Sequence, residues 1–450
     1  MAVTEPLGAS PLGGAFELTT PEARARGSQS SLPGRLGLAG LLVGGLVIAA
    51  SAGQTERLLP VSVRSIPSWL AGPFGHHGVD LRLGGLIAVM ALLFVSYALV
   101  VRAADELSAR AVLICIAALL ALVLLAPPLL STDVFSYMAY GRMSALYGFN
   151  PYLHGPSTIQ LDPLYPWIGA QWVGTPTVYG PLFTAISSVL APLNIAGGVL
   201  AYKSIAAISS LVLVTVVWSA ARLRGLNPVK AAAVVGLNPV IVVYGVGGGH
   251  NDLLMLAILV TGVYVLLQQK QRTSGALIVT ATVVKLTAGL ILPFALAESA
   301  GRRDGARGRR AILTGAALAA ALAGILGFAL FGSGPLHLLG TVQAIQNGGG
   351  SQSVPGMIFH LLGFADIGRI PGLLLDLGFV ACLVWLLRRV WVGKLDWITG
   401  AGWATFALLI TAGLLLPWYV GWLIPLAALS SDRRLLITAV LMTGLGLTTL

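Results

Sequence analysis

The sequence predicts an all-helical protein that crosses a membrane many times, and three observations carry that prediction. Of 450 residues, 56% are apolar and only 10% charged, a balance outside soluble globular composition. Apolar runs recur over almost the whole length from Leu36 to Leu450. Several approach the roughly 20 residues a helix needs to cross a bilayer, where an open sheet would strand its backbone polar groups.

The first 35 residues are polar and rich in Gly, Pro and Ser, and read as a disordered cytoplasmic arm. Residues 36–450 then form the membrane domain. Its hydrophobic segments, about 11–13 with some re-entrant, lie near 36–53, 83–101, 111–130, 176–194, 199–221, 229–247, 252–267, 275–297, 311–331, 370–391, 396–416, 418–429 and 435–450. Two of them are poor single spans. Segment 176–194 follows Thr175-Pro176 and holds Pro181 and Pro192, which predicts a re-entrant or interfacial helix. Segment 275–297 carries Lys285 and Pro293 mid-run, which predicts two half-depth pieces meeting near Lys285.

With those two adjustments, twenty of the 27 basic residues fall on one side, the cytoplasmic side by the positive-inside bias. Loops at about 131–198 and 332–369 then face the periplasm, together with His250-Asn251-Asp252. The net charge of +11 belongs to membrane topology and calls for no nucleic-acid partner. Arg outnumbers Lys 22 to 5, as in a GC-rich bacterium, so the expected location is a bacterial plasma membrane. Ala50-Ser51-Ala52 has the small-residue pattern of a leader-cleavage site, although the long arm ahead of it favours an uncleaved anchor. Cys115 and Cys382 fall inside apolar runs and imply neither a disulfide nor a thiol–metal site.

The polar residues with no topological role converge on the expected periplasmic face. Directly after segment 111–130 comes STDVFSYMAYGRMSALY, in which Asp133, Tyr137, Tyr140, Ser144 and Tyr147 share one helix face at three- and four-residue steps. Val134, Phe135, Met138 and Ala145 fall on other faces, suited to a lipid interface. Tyrosine rings suit sugars, because their faces pack on C–H groups while their hydroxyls hydrogen-bond. The competing reading is an N-cap aspartate with aromatics in the usual interfacial belt. Further on, Asn150-Pro151-Tyr152, Asp162-Pro163-Leu164-Tyr165-Pro166 and Thr175-Pro176-Thr177-Val178-Tyr179-Gly180-Pro181 stiffen a loop.

Gly247-Gly248-Gly249-His250-Asn251-Asp252 lacks the Lys-Ser/Thr of a phosphate loop. It either presents three hydrogen-bonding side chains or is a tight turn with Asp252 capping the next helix. Lys203 and Lys285 are cations within apolar runs, at a cost of roughly 2.5–3.5 kcal/mol each at mid-bilayer, so each needs a partner or a job. Lys203 lies near the end of its run and can snorkel; Lys285 is the better candidate for a lipid phosphate, with Arg142 and Arg369 as further outer cations. Asp376 is a possible structural partner for one of these cations. Pro417-Trp418-Tyr419 with Trp422 marks an aromatic turn, and Gln343, Gln346, Asn347 and Gln352 are either sugar-binding amides or part of a solvated linker.

In this order, TDVFSYMAYGR…GFNPY, TPTVYGPLF, GGGHNDLL, VKLTAGLILPF and LPWYVGWLIPL resemble the GT-C glycosyltransferases, specifically the actinobacterial polyprenyl-phosphate-mannose-dependent α-1,6-mannosyltransferases. The likeness runs from about residue 80 to 430. It implies a GT-C bundle with an interfacial helix in the first large periplasmic loop. The implied activity moves mannose from polyprenyl-phosphate-mannose to a mannan glycolipid acceptor of lipomannan type. It also implies Asp133 as the catalytic acidic residue and makes Lys285 and the His250-Asn251-Asp252 turn site groups; on charge alone, Lys203 and Arg142 join Lys285 at the donor phosphate. Tyr137, Tyr140, His250, Asn251, Asp252, Tyr179, Trp418 and Tyr419 are then the sugar or acceptor residues. The family's acidic pair is reduced here to one Asp, since Ser131 and Thr132 precede Asp133. No cofactor follows from the sequence; a divalent metal is possible and is not implied.

One carboxylate suffices chemically. Glycoside hydrolysis uses two because an alkoxide must be protonated as it leaves, whereas a lipid phosphodiester leaves as a stable anion. A base must take the acceptor hydroxyl proton, and cations must steady the phosphate. Displacement at a β-linked donor then gives an α-linked product by inversion. The rival from another class is a flippase or secondary transporter of lipid-linked sugars, which would share broken helices and intramembrane cations.

Overall fold

The computed structural model describes residues 32–448 except 64–66, 69, 74–76, 301–304, 349–351 and 365–368. Most of the expected polar arm, residues 1–31, lies outside the described residues, and the first helix begins at Leu32, inside the arm's expected boundary. The regular structure of the described residues is helical, with no strand among them.

Helices α1 (Leu32–Ser51), α2 (Arg82–Ala103) and α3 (Ala109–Leu125) come first. Then follow α4 (Asp133–Ala145), α5 (Pro181–Leu190), α6 (Ile195–Leu223), α7 (Pro228–Gly236) and α8 (Asp252–Leu267). The remainder are α9 (Gln271–Val284), α10 (Leu292–Ala300), α11 (Gly305–Phe331), α12 (Leu338–Gly348), α13 (Val354–Leu361), α14 (Arg369–Trp391), α15 (Trp397–Thr411), α16 (Ile424–Leu429) and α17 (Arg433–Thr448). Starts follow ordinary capping chemistry. Ser108, Asn194 and Asn227 accept from backbone N–H groups of the turn they open, and Pro181 and Pro228 stand where a missing N–H costs nothing.

Among the described residues, five helices are long and apolar enough to cross a membrane: α1, α2 (extended to Glu106), α6, α11 and Ile370–Trp391 of α14. Shorter apolar helices fill the space between them. Segment 176–194 yields only the ten residues of α5, about 15 Å at 1.5 Å per residue, too short for a span. Segment 275–297 breaks where its lysine stands: α9 ends at Val284, Lys285 is extended (φ −150°, ψ 125°), and a tight 3-10 turn over Leu286–Ile291 leads into α10.

Segment 229–247, expected to run continuously, is also broken. It passes from α7 through Leu237-Asn238-Pro239 into a wide π turn over Val240–Val246, with a 46° bend. Pro239 removes a helical donor, and the Asn238 amide takes over, accepting from Val240 and Ile241 and donating to Thr443 at 2.8 Å.

A second correction concerns α4. The expected lipid-facing residues Val134, Phe135 and Met138 are buried within the protein, as is every residue from Asp133 to Met143. Gly141 allows this enclosure: a Cβ there would stand 2.1 Å from the Ser187 carbonyl oxygen of α5. Aromatic packing covers the same face, with Tyr137 edge-on to Tyr179 and Phe183 at 4.8 and 4.9 Å between centroids.

A candidate active site at two helix starts

Two helices, α4 and α8, begin with an aspartate and bring those first residues together. Negative charge is favoured there by the helix dipole. The segment that delivers Asp133 is pinned from both sides: the Leu129 N–H donates to the Gly247 carbonyl at 3.0 Å and the Leu130 N–H to Leu58 at 2.8 Å. Residues 129–133 therefore lie against the glycine turn that presents His250.

Neither acid acts as a cap. Thr132 and Asn251 hold the N-cap positions, and neither side chain makes a capping bond. The Asp133 carboxylate instead accepts from Tyr179 OH at 3.4 Å and Tyr137 OH at 3.5 Å, and stands 3.4 Å from His250 Nδ1. Burial pushes its pKa up. The hydrogen bond and charge of His250, the charge of Lys285 and a bond from Ser131 outweigh burial and hold it below the usual carboxylate range. Burial, followed by the charge of Asp133, drives the Tyr179 phenol well above its ordinary value, so it stays a donor.

Asp252 is the second acid. Its Oδ1 accepts from Lys285 Nζ at 2.7 Å and from Trp422 Nε1 at 2.6 Å, while Oδ2 is buried without a partner. The Lys285 ammonium also lies over the faces of Tyr419 (4.6 Å) and Trp422 (5.2 Å), which stack on each other at 4.3 Å. The helix break at 285 is what frees this side chain to reach the cavity.

Asp133 and Lys285 line one cavity with Ser136, Tyr140, Tyr179, Tyr419 and Trp422. Tyr140 is tied by its hydroxyl to the Thr175 carbonyl at 2.9 Å. His250 stacks on Trp418 at 3.9 Å and leaves Nε2 buried without a partner; Asn251 accepts from Tyr137 at 3.5 Å and leaves Nδ2 likewise. Of the residues expected from the sequence, Asp133, Lys285, Tyr137, Tyr140, Tyr179, His250, Asn251, Asp252, Trp418 and Tyr419 thus come together.

Two expected phosphate ligands are engaged elsewhere. Lys203 is buried and donates to the carbonyls of Ala126, at contact distance, and Pro127, at 3.0 Å, where it closes the end of α3. Arg142 bonds Asp162 at 2.6 Å and the Leu193 carbonyl at 2.9 Å, and Tyr147 donates to the other Asp162 oxygen at 2.8 Å. That cluster locks the loop after α4. Asp376 is exposed on α14 and pairs with none of Lys203, Lys285 and Arg142; the Arg369 side chain lies outside the described residues.

The cavity also contains Ser136, Thr287, Trp172, Trp422 and Gln346. Gln346 and Trp422 were visible as an amide cluster and an aromatic turn. Ser136 and Thr287, whose buried hydroxyls have no partner, carry no signal of their own in a run of ordinary residues. Among the described residues no three His, Cys, Asp or Glu side chains converge in a metal-binding group.

Gly180 joins the two halves of the site. Its N–H donates to the Val284 carbonyl at 3.1 Å, directly before Lys285, and a Cβ would fall 1.8 Å from the Val283 carbonyl oxygen. Gly180→Ala is expected to cost about 1–3 kcal/mol by overpacking and to lower activity with it. Thermal unfolding in detergent checks this; an unchanged midpoint would mean that the two segments part freely.

Residues 32–301 match the model of a family described as alpha-(1→6)-mannopyranosyltransferase, N-terminal domain, and residues 177–450 match glycosyltransferase family 87. The chain is 29% identical over 458 aligned positions to alpha-(1→6)-mannopyranosyltransferase A of Mycobacterium tuberculosis, covering 94% of this chain and 84% of the relative. It is 34% identical over 175 positions to the Corynebacterium glutamicum protein of the same name, spanning 38% of this chain and about a third (35%) of that relative. A probable alpha-(1→6)-mannopyranosyltransferase of Mycolicibacterium smegmatis is 28% identical over 68% of this chain and 62% of its own length. No solved structure matches. With well over half of its length matched by the first of these models, and all but its start by the two together, the chain belongs to the alpha-(1→6)-mannopyranosyltransferase family of membrane GT-C glycosyltransferases.

Proposed function

We propose that this protein transfers mannose from polyprenyl-phosphate-mannose to a hydroxyl of an α-1,6-mannan glycolipid, with inversion, on the periplasmic side of the plasma membrane. The observation that carries the reading is the pairing of an ionised, buried carboxylate, Asp133, with a cavity-facing ammonium, Lys285, among aromatic rings. The relatives' activity, alpha-(1→6)-mannopyranosyl transfer, supports the sugar and linkage; the charges support the division of labour.

Asp133 takes the proton of the attacking acceptor hydroxyl, and the hydroxyl oxygen displaces the lipid phosphate at the anomeric carbon. The phosphate leaves as an anion, and Lys285 stabilises its growing charge by exchanging part of its hold on Asp252. The rings of Tyr140, Tyr179, Tyr419 and Trp422 pack against sugar C–H groups and exclude water. The positive-inside distribution of basic residues supports the periplasmic assignment.

The direct test is transfer of labelled mannose from polyprenyl-phosphate-mannose to a short α-1,6-mannoside by the purified protein, with release of polyprenyl phosphate. Absence of labelled product across several acceptors would count against it. Lys285→Ala, made together with Asp252→Asn so that no buried carboxylate is stranded, should weaken apparent donor affinity. The expected loss is roughly 10–100-fold, the worth of a charge-assisted bond, with acceptor affinity unchanged. Equal losses for both substrates would remove Lys285 from the phosphate.

A further inference from the structure

Lys285 stands between an acid and a cavity. On one side its ammonium lines the cavity with Asp133, Tyr419 and Trp422. On the other it donates to Asp252 Oδ1 at 2.7 Å, and Asp252 is not one of the residues lining that cavity. An anion entering the cavity can therefore reach the ammonium without displacing the carboxylate. The carboxylate is also fixed in place. It opens α8, its side chain is 3% exposed, and the Trp422 indole N–H donates to the same oxygen at 2.6 Å. The faces of Tyr419 and Trp422, 4.6 and 5.2 Å from the ammonium, restrain the lysine as well.

A lipid phosphate bound at Lys285 puts two anions on one cation. The ammonium has three donors and can serve both. The two acceptors then lie within about 6 Å of each other, twice a hydrogen-bond length, where like charges in a largely dry site repel appreciably. That repulsion grows during the reaction. The donor phosphodiester carries one negative charge. When the bond from the anomeric carbon to the phosphate oxygen breaks, its electron pair stays with the phosphate, which gains a second charge. The acceptor proton passes to Asp133, which is thereby neutralised. Asp252 is the carboxylate that still opposes the phosphate, and its Oδ2, buried without a partner, has no donor to absorb its charge.

We propose that Asp252 serves product release rather than sugar binding; this rests on the mannosyl-transfer reading above. By competing for Lys285 it weakens the hold on the lipid phosphate product more than on the lipid phosphodiester donor, and so clears the site for the next turnover. Asp252 touches no reacting atom in this scheme. It acts through Lys285 and is a positioning residue. Its removal should strengthen a binding interaction, an outcome that misfolding or loosened packing does not produce.

The test is equilibrium binding of a labelled polyprenyl phosphate, lacking sugar, to the full chain in detergent. Asp252→Asn is nearly isosteric and keeps an acceptor for Lys285 and Trp422. It should bind this monoester roughly 10–100-fold tighter than wild type, and gain less for a methyl phosphodiester of the same lipid. Unchanged or weaker monoester binding overturns the proposal, and so does an equal gain for both lipids. Trp422→Phe disturbs the same contact but leaves the charge, so it should show no gain; tightening equal to that of Asp252→Asn would assign the effect to packing and sink the idea. The wild type alone supplies a further check, since its preference for monoester over diester should stay below about tenfold. A larger margin means that no carboxylate opposes the extra charge. No mannose moves in these measurements. A wild type that transfers mannose while Asp252→Asn gains nothing overturns this inference by itself, whereas a wild type that transfers none overturns the transfer reading with it.

Discussion

Asp133→Asn should fold, insert and bind donor like the wild type, while transferring mannose about 10²–10⁴-fold more slowly, the usual worth of a positioned base. The substitution is nearly isosteric, so Tyr137, Tyr179 and His250 keep a partner, and what vanishes is the capacity to accept a proton. The same geometry makes a statement about pH. Because His250, Lys285 and Ser131 outweigh burial and depress the Asp133 pKa, the base is fully ionised at neutral pH. It loses its charge only as pH falls below the usual carboxylate range, about 4. Any acidic limb of the rate profile between pH 5 and 7 must then belong to another group. Transfer by Asp133→Asn at wild-type rate would hand the proton to Asp252 or to water.

Arg142→Ala should be the most destabilising single change outside the site. Asp162 is buried and would keep the Tyr147 hydroxyl and the Leu164 N–H but lose the Arg142 guanidinium. Breaking a buried pair this way costs about 3–5 kcal/mol. A lowered unfolding midpoint in Arg142→Ala, restored largely by adding Asp162→Asn, is the expected pattern. Donor KM in whatever protein survives should be unchanged. A selective rise in donor KM with normal stability would return Arg142 to the phosphate.

These two residues also show what the chain discloses by itself. That Asp133 and Lys285 line one cavity was legible because each is a charge in a place where lipid or apolar neighbours would expel it unless a partner or a use held it there. Lys203 and Arg142 carry the same signature and do different work. Their partners stand 77 and 20 residues away in the chain, and periodicity says nothing about such pairings. The enclosure of α4 was hidden for a related reason: Val134, Phe135 and Met138 look the same whether they meet lipid or protein. The break after Gly236 had a visible cause in Pro239, yet the run stays apolar throughout. Mean hydropathy cannot distinguish a straight span from a bent one.

The backbone bond from Gly180 to Val284 has a bearing on descent. One residue before Gly180 stands a ring that contacts the base, and one residue after Val284 stands the cation. On the proposed reading, the walls for the donor's sugar and phosphate share this tether. A lineage that replaced this glycine would have to rebuild both walls together, through a route on which each intermediate grips neither moiety well. Cavity residues beyond the tether, such as Gln346 and Trp172, are under no such restraint and can change one at a time.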